Sequence, residues 1–223
     1  MRRFVDNVLC KLPFEESWYR ERGCHATYVG HPYFDELEAR QLDASCLELL
    51  TSPAGPLVTL LPGSRNQEVS SNLDSLLKAA HRICARVPDV RFAVAAFKSS
   101  QAERVRKILN STDLPISVWV GKTPELIHAA TCCMAVSGSV SLELLYHAKP
   151  SVILYQISRP AYWVQGFFRK VKFITLVNLL ATHRPADCQT PSLGTTCSVD
   201  GEGRSMGALN HALTLPDGTS CNA

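Results

Sequence analysis

The sequence predicts an α/β fold, a Rossmann-like parallel sheet with helices on both faces. Short continuous apolar runs recur from Leu57 onward, as in strands that a parallel sheet buries on both sides. Segments with helical apolar spacing separate these runs, and this alternation of strand and helix is typical of right-handed crossovers within one sheet. The 223 residues are 46% hydrophobic and 19% charged, which is the composition of a globular protein.

The first strand and helix of this alternation follow from a change in apolar spacing. Leu57 to Leu61 form a continuous apolar run that ends at Pro62-Gly63, so we expect a buried strand there. In the following segment, 68–87, the apolar residues step by threes and fours along one face. Those residues are Val69, Leu73, Leu76, Leu77, Ala80, Ile83, Cys84 and Val87. A helix with this stripe packs against the sheet.

Four further strands continue the alternation. They are predicted at 90–97, 116–120, 133–137 and 151–157. A helix that begins with a capping box formed by Ser100 and Glu103 follows the first of them, and a short helix with Thr123 as its N-cap follows the second. Residues 140–148 are predicted to form the helix that precedes the last strand.

The two ends of the chain differ from this body. Residues 1–35 contain a turn-rich stretch (12–23) and one short apolar run, which is too little for a domain. Residues 36–181 hold the alternating strands and helices and are predicted to form the Rossmann-like domain. Residues 182–223 are rich in Thr, Ser, Gly and Pro, and such a composition buries too little apolar surface to offset chain entropy, so we expect this tail to be largely disordered.

Composition and charge exclude several classes of protein. No apolar run approaches the roughly 20 residues of a membrane-spanning helix, and Asp6 and Lys11 interrupt any signal-peptide core. We therefore expect a cytoplasmic protein whose nine cysteines are reduced thiols, because none has C-x-x-C spacing. A net charge of +3 is far from that of a nucleic-acid-binding protein, and we expect no metal ion and no cofactor.

One candidate binding loop follows the first strand. Ligands of open parallel sheets bind beyond the carboxyl ends of the strands. Residues 62–68 occupy that position: Gly63 permits close backbone approach, Ser64 can cap the next helix, and Arg65 can fork onto phosphate oxygens, with Glu68 one turn further on. The alternative is an ordinary strand-to-helix turn with a surface arginine.

A second candidate loop is Ser137-Gly138-Ser139. Two hydroxyls and a glycine at a helix N-terminus offer backbone N–H donors to a diphosphate, and Glu143, one turn into the helix, can accept hydrogen bonds from sugar hydroxyls. The alternative is a capped helix whose dipole Glu143 complements. Neither loop matches the P-loop or the G-x-G-x-x-G fingerprint, which disfavours a P-loop NTPase and a dinucleotide dehydrogenase.

A third stretch mixes aromatic and basic residues. Residues 158–173 include Trp163, Phe167, Phe168, Arg169, Lys170 and Lys172. Such a segment suits an anionic membrane surface or an acylated, phosphorylated substrate. The alternative is an aromatic stripe that faces the core with solvated basic residues opposite. Among the histidines, His31 stands out because it follows Gly30 in a predicted inter-domain turn.

Six blocks of this sequence, taken in order, resemble the bacterial lipid-A-disaccharide synthases, glycosyltransferases built from two Rossmann-like domains (the GT-B type). The blocks are FVDNVLCKLPFEESWY (4–19), YVGHPYFDEL (28–37), LLPGSRNQEV (60–69), AVSGSVSLELL (135–145), KPSVILYQISRPAYWV (149–164) and LVNLLA (176–181). The resemblance implies that residues 1–35 are the end of the N-terminal domain with the linker, and that 36–181 are the nucleotide-sugar-binding domain.

The resemblance also implies a reaction and a site. The family transfers diacylglucosamine from UDP-2,3-diacylglucosamine to 2,3-diacylglucosamine 1-phosphate in lipid A biosynthesis, at the inner face of the bacterial inner membrane. The implied partners are this UDP-sugar donor, the acylated acceptor, membrane lipid and a second copy of the chain. The implied substrate-binding residues are Gly63, Ser64, Glu68, Arg65 on the diphosphate, Ser137, Gly138 and Ser139 at the phosphate-binding helix end, Glu143 on the ribose, and Asn178 at the inter-domain cleft.

Two departures from the family pattern lead to alternatives. The family's N-terminal half, with the acceptor site and a carboxylate thought to be the general base, has no counterpart in these residues, and nothing beyond Ala181 resembles the family. We therefore expect no measurable disaccharide synthesis from residues 1–223 alone and name no catalytic residue. The alternatives are a UDP-binding fragment without turnover and another GT-B transferase, such as one acting on undecaprenyl-linked sugars.

Overall fold

A computed structural model of the chain describes residues 4–154 and the backbone of residues 195–199 and 205–210. The described residues divide into two compact units, which separate after Gln41. The domain limits predicted from the sequence, 1–35, 36–181 and 182–223, remain predictions.

The first unit holds two short parallel strands and two helices. These are β1 (Val8–Cys10), α1 (Pro13–Arg20), β2 (Ala26–Tyr28) and α2 (Pro32–Ala39). The prediction of a turn-rich stretch at 12–23 is wrong in part, because most of these residues form α1. Pro13 stands at the start of this helix, and the Glu15 carboxylate accepts hydrogen bonds from the N–H groups of Lys11 and Leu12, both at 3.0 Å.

The second unit contains the predicted α/β alternation. Its elements are α3 (Ala44–Thr51), β3 (Leu57–Leu61), α4 (Asn66–Cys84), β4 (Arg91–Ala96), α5 (Ser99–Leu109), β5 (Ile116–Val120), α6 (Thr123–Ala129), β6 (Cys132–Val136), α7 (Val140–Tyr146) and β7 (Ser151–Leu154). The five strands are parallel, in the order β5-β4-β3-β6-β7. The predicted Rossmann-like sheet is confirmed.

Helices cover both faces of this sheet because the buried strand residues alternate between two apolar clusters. On one face, Leu57 and Leu61 of β3 pack with residues of α3, α6 and α7. On the other face, Val58 and Leu60 pack with residues of α4 and α5, including the predicted stripe from Val69 to Ala80. All five residues of β3 are buried, as a central strand between two helical layers requires.

The predicted helix starts differ from the observed ones. No capping box forms between Ser100 and Glu103, because α5 begins at Ser99 and both residues lie within the helix. Thr123 is the first residue of α6 rather than its N-cap, which is Lys122.

Two further strands extend the sheet beyond β7. They are β8 (Thr195–Val199) and β9 (Ser205–Asn210), and β9 pairs antiparallel with both β7 and β8. Both lie inside the tail that we expect to be largely disordered. That expectation stays a prediction for the tail as a whole, since its other residues lie outside the described part.

Candidate functional site

The strand order brings the two candidate loops together. β4 and β5 lie on one side of β3, and β6 and β7 lie on its other side, so the order reverses between β3 and β6. Open α/β sheets bind ligands in the crevice at such a reversal, beyond the carboxyl ends of the strands. Leu61 pairs with Ala135 in the register of β3 and β6, so the loops 62–65 and 137–139 leave the sheet side by side.

The loop after β3 requires glycine at position 63. Gly63 has a φ of +119°, which L-residues rarely adopt. A Cβ added there would also come within 2.6 Å of the Glu68 Cβ and 2.7 Å of its Oε2. The predicted close approach at this glycine is therefore an approach of the protein's own Glu68 side chain.

The Glu68 carboxylate caps the start of α4. Its Oε2 accepts hydrogen bonds from the N–H groups of Ser64 at 3.0 Å and Arg65 at 3.2 Å. The prediction that Ser64 caps this helix is wrong, because Arg65 occupies the N-cap position and the carboxylate three residues later satisfies the backbone donors. Glu68 is thus part of the loop, and its position is set by helix capping.

The Arg65 side chain lies on the surface at this point. Its guanidinium is paired with Glu68, with 3.2 Å between Nη1 and Oε1, and the side chain is 83% exposed. An exposed pair of this kind contributes little to stability. The remaining guanidinium donors can therefore contact an anion at the edge of the sheet without loss of a structural interaction.

The loop after β6 offers fewer backbone donors than predicted. The N–H of Ser137 donates to the carbonyl of Leu154 at 2.9 Å, so it is not available to a ligand. Within the described residues, the N–H groups of Gly138 and Ser139 have no protein acceptor. Apart from its chain neighbours, no atom of the described residues lies within 4 Å of a Cβ added at Gly138, so space for a ligand is open there.

The structure gives less information on the remaining predicted site residues. Glu143 lies in the first turn of α7 and is 3% exposed, so its contact with a ribose stays a prediction. Asn178 and the stretch 158–173 lie outside the described residues. His31 is the N-cap of α2, where its Nδ1 accepts a hydrogen bond from the N–H of Tyr33 at 3.2 Å.

A charged cluster that the sequence predictions did not include lies after β5. Lys122 Nζ is 2.6 Å from Asp43 Oδ2, and this hydrogen bond lowers the pKa of Asp43 and raises the pKa of Lys122. Asp43 is also the N-cap of α3, and its own N–H donates to the buried Glu125 at 3.1 Å. The cluster joins α3 to α6. Aspartate directly before the apolar run ASCLELL is the sequence signal for this cap.

Gln101 is a second residue that the sequence predictions missed. It is 2% exposed, and its amide connects the end of β4 to the loop after β3. Its position three residues after the N-cap Lys98 fits the pattern in which Gln or Glu caps a helix start. The competing Ser100-x-x-Glu103 pattern lies only two residues further along the chain and gives the wrong register.

The described part of the chain holds no metal-binding cluster, and two of its thiols are poorly reactive. No group of three or more His, Cys, Asp or Glu side chains there has an arrangement that holds a metal ion. Burial raises the pKa of the Cys133 thiol to about 12, and that of Cys132 is also raised by burial. These thiols are therefore poor nucleophiles. None of the helices within the described ranges is long and apolar enough to cross a membrane.

The sheet and its switch-point loops define an α/β protein of the Rossmann-like class. Residues 1–187 match the family described as lipid-A-disaccharide synthetase. The chain therefore belongs to this family, and the predicted resemblance is confirmed.

Curated relatives are named lipid-A-disaccharide synthase. The chain is 34% identical over 185 residues to the lipid-A-disaccharide synthase of Myxococcus xanthus, covering 82% of this chain and 48% of that protein. It is 31% identical over 181 residues to that of Pseudomonas putida F1, covering 81% and 48%, and 33% identical over 183 residues to that of Thiobacillus denitrificans, covering 81% and 49%. The chain thus spans about half the length of the curated relatives it matches.

Proposed function

We propose that this chain carries the UDP-sugar-binding part of a lipid-A-disaccharide synthase. The parent reaction transfers diacylglucosamine from UDP-2,3-diacylglucosamine to 2,3-diacylglucosamine 1-phosphate. The observation that carries the proposal is the pair of loops at the switch point between β3 and β6, in a chain of this family. One loop presents an exposed guanidinium and the other presents two backbone N–H groups without a protein acceptor in the described region.

In the proposed complex the diphosphate lies between these two loops. Arg65 donates to phosphate oxygens, because a guanidinium matches their geometry with two parallel donors. Gly63, Ser64 and Glu68 form the frame from which Arg65 extends. The loop 137–139 receives the diphosphate from the side of β6.

The remaining parts of the donor have proposed partners as well. Glu143 accepts hydrogen bonds from the ribose hydroxyls, and Asn178 contacts the substrates. Both assignments are supported by the family resemblance and are independent of the backbone donors described above.

The proposed partners place the protein at a membrane surface. The acceptor and the donor both carry acyl chains, so the enzyme acts in the cytoplasm as a peripheral protein on the inner face of the inner membrane. The basic and aromatic side chains of residues 158–173 provide the contact with lipid, since basic residues near anionic lipid contribute about 1 kcal/mol each. A homo-oligomer is compatible with this arrangement.

The test of the proposal is UDP binding by Arg65→Ala, measured by titration calorimetry on the full chain. We expect the dissociation constant for UDP to rise about tenfold to a hundredfold, since a hydrogen bond to a charged group contributes roughly 1.5–3 kcal/mol.

The matched control is Arg82→Ala, which removes the same charge from the exposed opposite end of α4. Its dissociation constant should stay within about twofold of the wild-type value, because long-range charge effects are screened at physiological salt. Equal UDP affinity in wild type and Arg65→Ala would contradict the proposed site.

A further inference from the structure

We propose that Gln101 is a positioning residue for the nucleotide site, because it holds the peptide plane from which Arg65 extends. The inference rests on the proposed function, since it assigns Gln101 to the same diphosphate-binding loop. Gln101 lies on α5, outside both candidate loops, and its side chain is buried.

Both ends of the Gln101 amide are bonded to backbone groups of other segments. Its Oε1 accepts a hydrogen bond from the N–H of Phe97 at 3.0 Å, directly after β4. Its Nε2 donates to the carbonyl of Ser64 at 2.8 Å, in the loop after β3. The side chain therefore bridges the carboxyl ends of two neighbouring strands at the ligand-binding edge of the sheet.

The Ser64 to Arg65 peptide is consequently held from two sides. Its carbonyl accepts from Gln101, and its N–H, which belongs to Arg65, donates to Glu68. A peptide unit is planar, so fixing its oxygen and its nitrogen fixes its orientation. The direction in which the Arg65 side chain leaves the backbone is set by this plane.

Burial makes the Gln101 contact costly to replace. The residue is 2% exposed. A buried amide that lacks hydrogen-bond partners destabilises the folded protein by about as much as the loss of a hydrogen bond. Nearby, Arg104 Nη1 donates to Ser70 Oγ at 3.0 Å, a second link between α5 and α4, but it lies on the surface and away from the loop backbone. Gln101 is the buried contact that reaches Ser64.

The experiment compares UDP with uridine, because only UDP carries the diphosphate that the loop receives. In Gln101→Met, which keeps side-chain length and removes both hydrogen bonds, the UDP-to-uridine affinity ratio should fall about three- to tenfold, as for the loss of one hydrogen bond. Uridine affinity should stay unchanged. Titration calorimetry on the full chain measures both ligands.

The matched control is Thr59→Val. Thr59 is fully buried on β3, and its Oγ1 donates to the Leu126 carbonyl at 3.0 Å, so this variant also removes a buried side-chain donor from a backbone carbonyl. It should lower the melting temperature and leave the UDP-to-uridine ratio at the wild-type value. A fall of the ratio that is equal in both variants would show that Gln101 acts only through general stability.

Gln101→Glu provides a second readout if the methionine variant does not fold. The introduced carboxylate keeps the acceptor for Phe97 but has no donor for Ser64, and burial raises the pKa of such a carboxyl. Protonation restores an O–H donor. The UDP affinity of this variant relative to wild type should therefore be low at pH 8 and recover toward pH 5, whereas a ratio to wild type that does not change with pH overturns the inference.

Different results would contradict the diphosphate site and the positioning role of Gln101. A wild-type chain that binds UDP no better than uridine would contradict the proposed diphosphate site itself. A wild-type preference for UDP that survives in Gln101→Met would overturn only the positioning role.

Discussion

The loops after β3 and β6 occupy equivalent places at the end of neighbouring strands, yet they present different groups. In the loop after β3, the N–H groups of Ser64 and Arg65 are both bonded to Glu68, and the exposed group is a guanidinium. In the loop after β6, Gly138 and Ser139 have N–H groups that no described protein atom accepts. Two loops in equivalent positions can thus offer an anion a side-chain cation in one case and backbone donors in the other.

The glycines give the largest expected difference between the loops. Gly63→Ala should lower the free energy of unfolding by about 1–3 kcal/mol, because a side chain at φ +119° is strained and its Cβ meets Glu68. Gly138→Ala should change it by less than about 0.5 kcal/mol, since its Cβ would meet open space. Urea denaturation measures both values.

Equal destabilisation by the two substitutions would break this distinction. It would mean that the loop after β6 is as tightly packed against its own side chains as the loop after β3.

A smaller effect, on UDP affinity, should distinguish the proposed ribose contact of Glu143 from the diphosphate contacts. Glu143→Gln should weaken UDP binding by about three- to tenfold, because the neutral amide is a poorer acceptor for ribose hydroxyls than a carboxylate. Pyrophosphate, which lacks the ribose, should bind equally well to variant and wild type. Competition titrations with the two ligands check this, and an equal loss for both would assign Glu143 to the loop structure instead.

The smallest expected effect lies away from both loops, at Asp43. Its pKa is lowered in the folded protein, chiefly by the hydrogen bond from Lys122, so its contribution to stability is present above the unfolded pKa of about 3.9 and is lost as pH falls through the lower folded value. Asp43→Asn should therefore lower the melting temperature slightly at pH 7, and this difference should become smaller as pH falls below about 3.9.

A melting-temperature difference that persists unchanged from pH 7 to pH 2 would show that the Asp43 charge is not responsible. UDP binding by Asp43→Asn should match wild type, which tests whether the effects of loop substitutions are local.

The strands were predictable because their signal is local. Leu57 to Leu61 and Ile116 to Val120 are strands with the predicted bounds. A continuous apolar run such as Leu57 to Leu61, buried between two helical layers, has little alternative. By contrast, α1 spans only eight residues and has no buried residue. Its start depends on Glu15, a capping contact that resembles ordinary surface charge in the sequence.

The candidate loops follow β3 and β6, as the sequence predicts. The hydrogen bonds that hold these loops were not predicted. Ser64 and Glu68 both fit a helix start, and the choice between them depends on the backbone of Gly63. Gln101 contacts Ser64 only because β4 lies beside β3, and the order of strands in a sheet is not encoded in their apolar spacing. Contacts between distant segments are therefore the part that required the structure.

The capping carboxylate of Glu68 has a further effect on what the loop after β3 can bind. This carboxylate competes with any bound anion for the N–H groups of Ser64 and Arg65. Because it is part of the same chain, its effective concentration at these donors is of the order of millimolar or higher. An anion that binds the N–H groups of Ser64 and Arg65 must displace this carboxylate, and a free inorganic anion has few other contacts with which to do so. A diphosphate attached to a nucleoside brings additional contacts from its sugar and base, so these two backbone donors discriminate against small anions.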